Sequence, residues 1–183
     1  NKTNEMDHLI NELTFYSKID TNRIPYTFSK LNVEDYFSDC AEELGLEMET
    51  KGIELVYANY VEKGVQVIAD GEQIRRVIHN IVSNAIKYTP SGHTIHISLN
   101  EAASDDKQAQ YVFTCTDTGI GMSEEFLSHI FEEFSREHTS TETRVAGTGL
   151  GLPIVKSLVD RMGGTIEVES EEGKGTRFIM KFS

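Results

Sequence analysis

One stretch constrains the fold more than any other. "DGEQIRRVIHNIVSNAIKYTP", residues 70–90, puts Ile74, Val77, Ile78, Ile81, Val82 and Ala85 on one side of a helical projection. That spacing predicts a helix over about 71–88 whose apolar stripe must be covered by another layer. Runs rich in β-formers stand before it, "IELVYANYV" and "VQVIAD", and after it, "HTIHISLN" and "QYVFTCTDTG". The expected body is α/β, with several strands paired in sequence and the helices on one face.

The flanking segments fill in that plan. Residues 1–20 carry Met6, Leu9, Ile10, Leu13, Tyr16 and Ile19 at helical spacing, ending at "DTNRIPY". A second helix is predicted over about 33–50, ending near "KG". "SEEFLSHIF" reads as a short helix capped by Ser123. "SREHTSTETRVAGTG" has no apolar period and reads as a mobile loop. A helix over 151–162 ends at Gly163 and Gly164, and "TIEVES" with "TRFIMKF" forms a terminal hairpin through "EEGKG". The 183 residues suffice for one domain with a real core.

Charge and composition exclude some functions. A formal net charge of −13 argues against general nucleic-acid binding, which needs a basic surface. A nucleotide ligand stays open, because local donors and a metal outweigh distant charge. No apolar run reaches a membrane span, and "NKTNEMDHLINEL" lacks the core of a signal peptide. The chain begins with Asn rather than Met, as expected of a piece of a longer protein. Cys40 and Cys115 lack metal-ligand spacing and suit a reducing cytoplasm.

Three motifs carry chemistry. On the 71–88 helix, Asn80, Asn84 and Lys87 fall on one line beside the core stripe, with Tyr88 next to them. Asn costs a helix roughly 0.5 kcal/mol against Ala. Either the pair caps neighbouring loops, or its carboxamide oxygens serve a hard cation such as Mg²⁺ while Lys87 faces a phosphate. In "TDTGIGM", Asp117 ends a strand before Gly119 and Gly121. It is either a turn residue or a carboxylate that accepts from the amine of adenine. "GTGLGL", residues 147–152, puts Gly147, Gly149 and Gly151 just before a helix. A loop of that kind is either merely mobile or a phosphate cradle at a helix N-terminus.

In order, "HNIVSNAIKYT", "DTGIGM", "FEEFSR" and "GTGLGL" resemble the N, G1, F and G2 boxes of sensor histidine kinases. The resemblance extends to "GGTIEVESEEGKGTRF" and to "LINELTFYSKID", which is similar to the tail of a dimerisation helix. It implies a two-layer α/β sandwich, a mixed β-sheet on about three helices, of the histidine kinase, gyrase, chaperone and MutL ATPase superfamily. It implies ATP and Mg²⁺ as ligands. It divides the chain into the end of the dimerisation helix with its linker, 1–24, and a catalytic ATP-binding domain, 25–183. Partners follow from the same resemblance: the protein's own phosphoacceptor domain, a response regulator, and a second copy in the full-length protein, on the cytoplasmic side with or without a membrane anchor.

Carried over by position, the resemblance makes Asn84 the main Mg²⁺ ligand with Asn80 close by. Lys87 faces the phosphates and Tyr88 the nucleotide's flank. Asp117 binds the adenine amine, with Gly119 and Gly121 shaping that wall and Thr176 near the base. Phe131 and Phe134 anchor a lid that carries Arg136 and Arg144. Gly147, Thr148, Gly149, Leu150 and Gly151 line the phosphates. Hydrolysing members of the superfamily carry Glu where this chain has Asn80, and Asn cannot act as a general base. Transfer to a protein side chain therefore fits better than fast hydrolysis. Ala146 replaces a further Gly of many relatives, and Pro153 sits in the first turn of its helix, where a missing N–H is tolerated. The phosphoacceptor box is absent, and His8 in "MDHLINEL" does not match it. An ATPase of the same superfamily is disfavoured by Asn80, and a nucleotide-free partner-binding module by the intact Asn84, Asp117 and glycine series.

Overall fold

The computed structural model of the chain describes residues 2–102, 109–135 and 147–183. Its elements run α1 (Lys2–Asp20), β1 (Ser29–Asn32), α2 (Val33–Lys51), β2 (Glu54–Asn59), β3 (Gln66–Ala69), α3 (Gly71–Tyr88), β4 (Thr94–Ala102), β5 (Gln110–Asp117), α4 (Glu124–Leu127), α5 (Gly151–Arg161), β6 (Thr165–Glu171) and β7 (Gly175–Phe182). The predicted helix over 71–88 matches α3 end for end. Its start is set by Asp70, buried at the N-cap. One carboxylate oxygen accepts from the Gln73 N–H at 3.2 Å and the other from the Thr27 N–H at 2.9 Å. At the other end, the Lys51 ammonium donates to the carbonyls of Ile86 and Lys87, and the Ile120 N–H donates to the Tyr88 carbonyl. The last carbonyls of a helix lack intrahelical partners, and here three of them are satisfied by other parts of the fold.

Five strands form one mixed sheet in the order β2-β4-β5-β7-β6, with β2 parallel to β4 and the other pairs antiparallel. The register aligns Leu99, Phe113, Met180 and Ile166 in one row, and Ile97, Cys115, Phe178 and Val168 in the next. These rows face the helices. Val77, Ile81, Val82 and Ala85 of α3 and Ile154, Val155, Leu158 and Val159 of α5 are buried with them in a single core. The opposite sheet face is polar, with Arg177 paired to Glu169 and Lys181 to Glu167. The structure is thus the expected two-layer sandwich.

Two strand assignments differ from the expectation. β2 and β3 do not pair with each other. β2 joins the main sheet, whereas β3 forms a separate antiparallel ribbon with β1, residues "SKLN", which carry no strand signal of their own. The helix predicted within "SEEFLSHIF" is only four residues long, capped by Ser123 as expected through a bond from the Phe126 N–H.

Candidate functional site

Asn80, Asn84, Lys87 and Tyr88 lie half-buried on α3, along the border between its core stripe and solvent. Lys87 reaches across to the loop before α5. A Cβ added to Gly147 would collide with its Nζ. The same ammonium stands 5.3 Å from the centre of the Tyr88 ring. The α3 line and the glycine loop, 60 residues apart in sequence, therefore meet at Lys87.

The next cluster sits at the end of the sheet. Asp117 and Thr176 are cross-strand neighbours on β5 and β7, in the row that continues the buried face through Ile95. Both are buried, Asp117 to 6% exposure. Burial raises the Asp117 carboxyl above its ordinary value, while the backbone N–H groups of Gly119 and Thr176 act to lower it. The Gly119 bond is 2.9 Å long. Gly119 also lies against the Tyr88 carbonyl, where a Cβ would clash, and Gly121 lies against the Glu171 carbonyl. The end of α3 and the Asp117 turn are thereby locked together.

The third cluster is "GTGLGL" itself. Gly149 has φ +76°, and its Cβ would stand 2.7 Å from the Phe134 Cα. Phe134, at φ +59°, donates its N–H to the Gly149 carbonyl at 2.9 Å. Phe134 is thus joined to this loop by its backbone, and its ring is exposed, whereas Phe131 packs partly against the core beside buried Ile130. Gly151 has no described atom within 4 Å of an added Cβ. It opens α5, whose N-cap, Leu150, makes no side-chain cap bond. Pro153 has no N–H, so Gly151 and Leu152 carry the first-turn N–H groups that a helix leaves without intrahelical partners. A helix start of this kind, preceded by a loop that a lysine ammonium reaches, suits a phosphate. Arg136, Arg144 and Ala146, with most of the predicted lid, lie outside the described residues.

Sequence reasoning missed two participants. Glu12 of α1 accepts a hydrogen bond from the Thr148 hydroxyl, which in turn accepts from the Leu150 N–H at 3.2 Å. Ser170 of β6 bonds to Thr176 Oγ1 and to the Met122 N–H, both at 2.9 Å. Both depend on pairings across more than one element, to which periodicity is blind. Around them α1 is docked by the Tyr16 hydroxyl on Glu133 at 2.8 Å, by Arg76 stacked 3.5 Å from the Phe15 ring, and by buried Ile19.

Buried Asp117 and Thr176 at the end of the sheet, the carboxamide line of α3, and Lys87 where it meets the glycine loop are the features this α/β sandwich assembles. Residues 69–183 match the family of histidine kinase-, DNA gyrase B- and HSP90-like ATPases, and the chain belongs to that family. It is 33% identical, over 94% of its length, to the autoinducer 2 sensor kinase/phosphatase LuxQ of Vibrio parahaemolyticus, and 33% identical, over 93%, to the sensor histidine kinase GacS of Pseudomonas protegens. It spans about a fifth of the length of these relatives, 20% and 18%. Among solved structures, full-length ShkA in complex with AMPPNP superposes with a TM-score of 0.77 at 27% identity, over 96% of this chain and 35% of that one. The fold is that of the ATP-binding domain of sensor histidine kinases.

Proposed function

We propose that this chain binds Mg²⁺–ATP and delivers the γ-phosphoryl group to a histidine of the protein's phosphoacceptor domain. From there the group passes to an aspartate of a response regulator. In the first transfer a nitrogen–phosphorus bond forms at the imidazole, the bond from the γ-phosphorus to the β–γ bridging oxygen breaks, and ADP leaves. The observation that carries the reading is the meeting of Lys87 with Gly147, which puts a cation on the glycine loop that leads into α5. Asp117 and Thr176 receive the base. Asn80, in place of a general base, leaves water unactivated, so transfer to a positioned nucleophile is favoured over hydrolysis.

The donor set fits Mg²⁺. No group of three or more His, Cys, Asp or Glu residues able to hold a metal exists among the described residues. Asn84, with Asn80 nearby, offers neutral carboxamide oxygens, and Mg²⁺ characteristically takes few protein ligands, completing its shell with waters and substrate phosphates. The bound cation would draw charge off the phosphates.

In this reading residues 1–24 are the end of the dimerisation helix with its linker, and 25–183 the ATP-binding domain. The exposure of Met6, Ile10 and Leu13 on one side of α1, while Leu9, Tyr16 and Ile19 pack inward, suits a second copy of that helix. Among the described residues no helix is long and apolar enough to cross a membrane. ATP supply places the domain on the cytoplasmic side. The test is a nucleotide titration of the chain with and without Mg²⁺, followed by addition of a phosphoacceptor domain and γ-labelled ATP. Label on its histidine supports the assignment; tight ATP binding without any transfer counts against it.

A further inference from the structure

Ser170 has no part in the roles described so far. It lies opposite Thr176 in the β6–β7 register, and Thr176 lies opposite Asp117. Its Oγ has three polar neighbours, each at 2.9 Å: the Met122 N–H, the Gly175 carbonyl and the Thr176 hydroxyl. A serine hydroxyl has one proton and two lone pairs. The Met122 N–H can only donate to it. The Gly175 carbonyl can only accept, so it takes the serine proton. The Thr176 hydroxyl must then be the donor in the third bond. No other arrangement makes all three bonds at once.

The Thr176 proton is therefore committed inside the protein, and its hydroxyl has only lone pairs left to offer a ligand. Its neighbour Asp117, when ionised, is likewise an acceptor only. We infer that Ser170, by taking the Thr176 proton, makes the Asp117–Thr176 wall all-acceptor and so selects purines bearing a 6-amino group over 6-oxo purines. This rests on the proposed reading of Asp117 and Thr176 as the base site. At position 6 an oxo purine turns an acceptor toward these acceptors where a 6-amino purine turns a donor, its own donor on that edge being the neighbouring N1–H. Without the Ser170 oxygen, the Thr176 hydroxyl is free to rotate and donate to that oxo group.

The experiment measures Kd for Mg²⁺–ATP and Mg²⁺–ITP on the 183-residue chain. The wild type should prefer ATP. Ser170→Ala should narrow that preference by about tenfold, the worth of one hydrogen bond, chiefly through tighter ITP binding. Ser170→Thr, which keeps the hydroxyl, should retain the wild-type ratio. In a Thr176→Val background, Ser170→Ala should leave the ratio unmoved. Should Ser170→Ala fail to fold, Ser170→Cys tests the same point, since a thiol is a weak acceptor. A merely structural role for Ser170 would weaken both nucleotides together. That result, or a ratio change that persists in the Thr176→Val background, overturns the inference while leaving the base site standing. A wild type that binds ATP and ITP equally overturns the base-site reading and the inference with it.

Discussion

Burial raises the Asp117 carboxyl above its ordinary value, against the pull of two backbone N–H groups. A folded-state pKa above the unfolded one means that the native chain holds the proton more tightly. The resulting stabilisation is complete below the ordinary Asp range and is lost as pH rises through the raised value. Once ionised, the carboxylate thus works against the ligand-free fold. Asp117→Asn should flatten the pH dependence of thermal melting between acid and neutral pH, the wild type losing ground to the variant as pH rises. The same change should weaken ATP binding about 10- to 100-fold, because a charged hydrogen bond is worth about 1.5–3 kcal/mol. Unchanged ATP affinity would remove Asp117 from the base site. Two glycines of the loop before α5 make a contrasting pair. Gly149→Ala should destabilise the chain by roughly 1–2 kcal/mol in urea melts, from the left-handed backbone and the clash with Phe134. Gly151→Ala meets no described atom at a helix start, so stability should hold or rise by about 0.5–1 kcal/mol. Its ATP affinity should nevertheless fall, since a methyl group there stands where the phosphates would lie. If Gly151→Ala binds ATP as the wild type does, the cradle lies elsewhere.

Among the elements, α3 in the proposed reading would offer a divalent cation only the neutral carboxamides of Asn80 and Asn84, so its metal affinity should come almost wholly from the nucleotide's phosphates. Calorimetry should therefore show no Mg²⁺ binding to the free chain at millimolar concentrations. Asn84→Ala should abolish most of the Mg²⁺-dependent gain in ATP affinity and leave metal-free ADP binding nearly intact. Helix α1 acts on the glycine loop itself. Glu12 holds Thr148 within the very loop expected to face the phosphates. A carboxylate there repels a triphosphate. Glu12→Gln keeps the acceptor oxygen but removes the charge, so ATP affinity should rise a few-fold. The gain should be smaller for ADP and should shrink as salt screens the charge. Equal gains at low and high salt would mean that Glu12 acts through packing rather than charge.

For the whole molecule, the motif for positioning a nucleophile is the missing piece. The chain has the residues expected to hold ATP, but none of its histidines stands in a phosphoacceptor box, and Asn80 does not activate water. Phosphoryl transfer depends on in-line positioning of the nucleophile. Incubated alone with γ-labelled ATP, the chain should hydrolyse it slowly and stay unlabelled. A separate dimerisation domain carrying its histidine should restore weak labelling, since the encounter becomes bimolecular. Strong label on His8 of the isolated chain would refute this account of the acceptor.

Much of this architecture was legible in the sequence. The period of 3.6 over residues 71–88 and the β-rich runs around it determined α3 and most of the sheet, because such patterns are local and each is legible within one element. The order of the boxes marked the candidate site residues along the chain. Which strands paired was not local. β1 carries no pattern of its own and exists only because β3 lies beside it. β3 in turn left β2 to its parallel partner, β4. The site depends on the same kind of decision. Asn84, Asp117 and Gly147 were visible as residues, but the meeting of Lys87 with Gly147, the pairing of Asp117 with Thr176 and the proton count at Ser170 exist only once strands and helices are in register. Local propensity acts over a few neighbours, whereas a hydrogen bond between residues 12 and 148 is decided by the packing of the whole core.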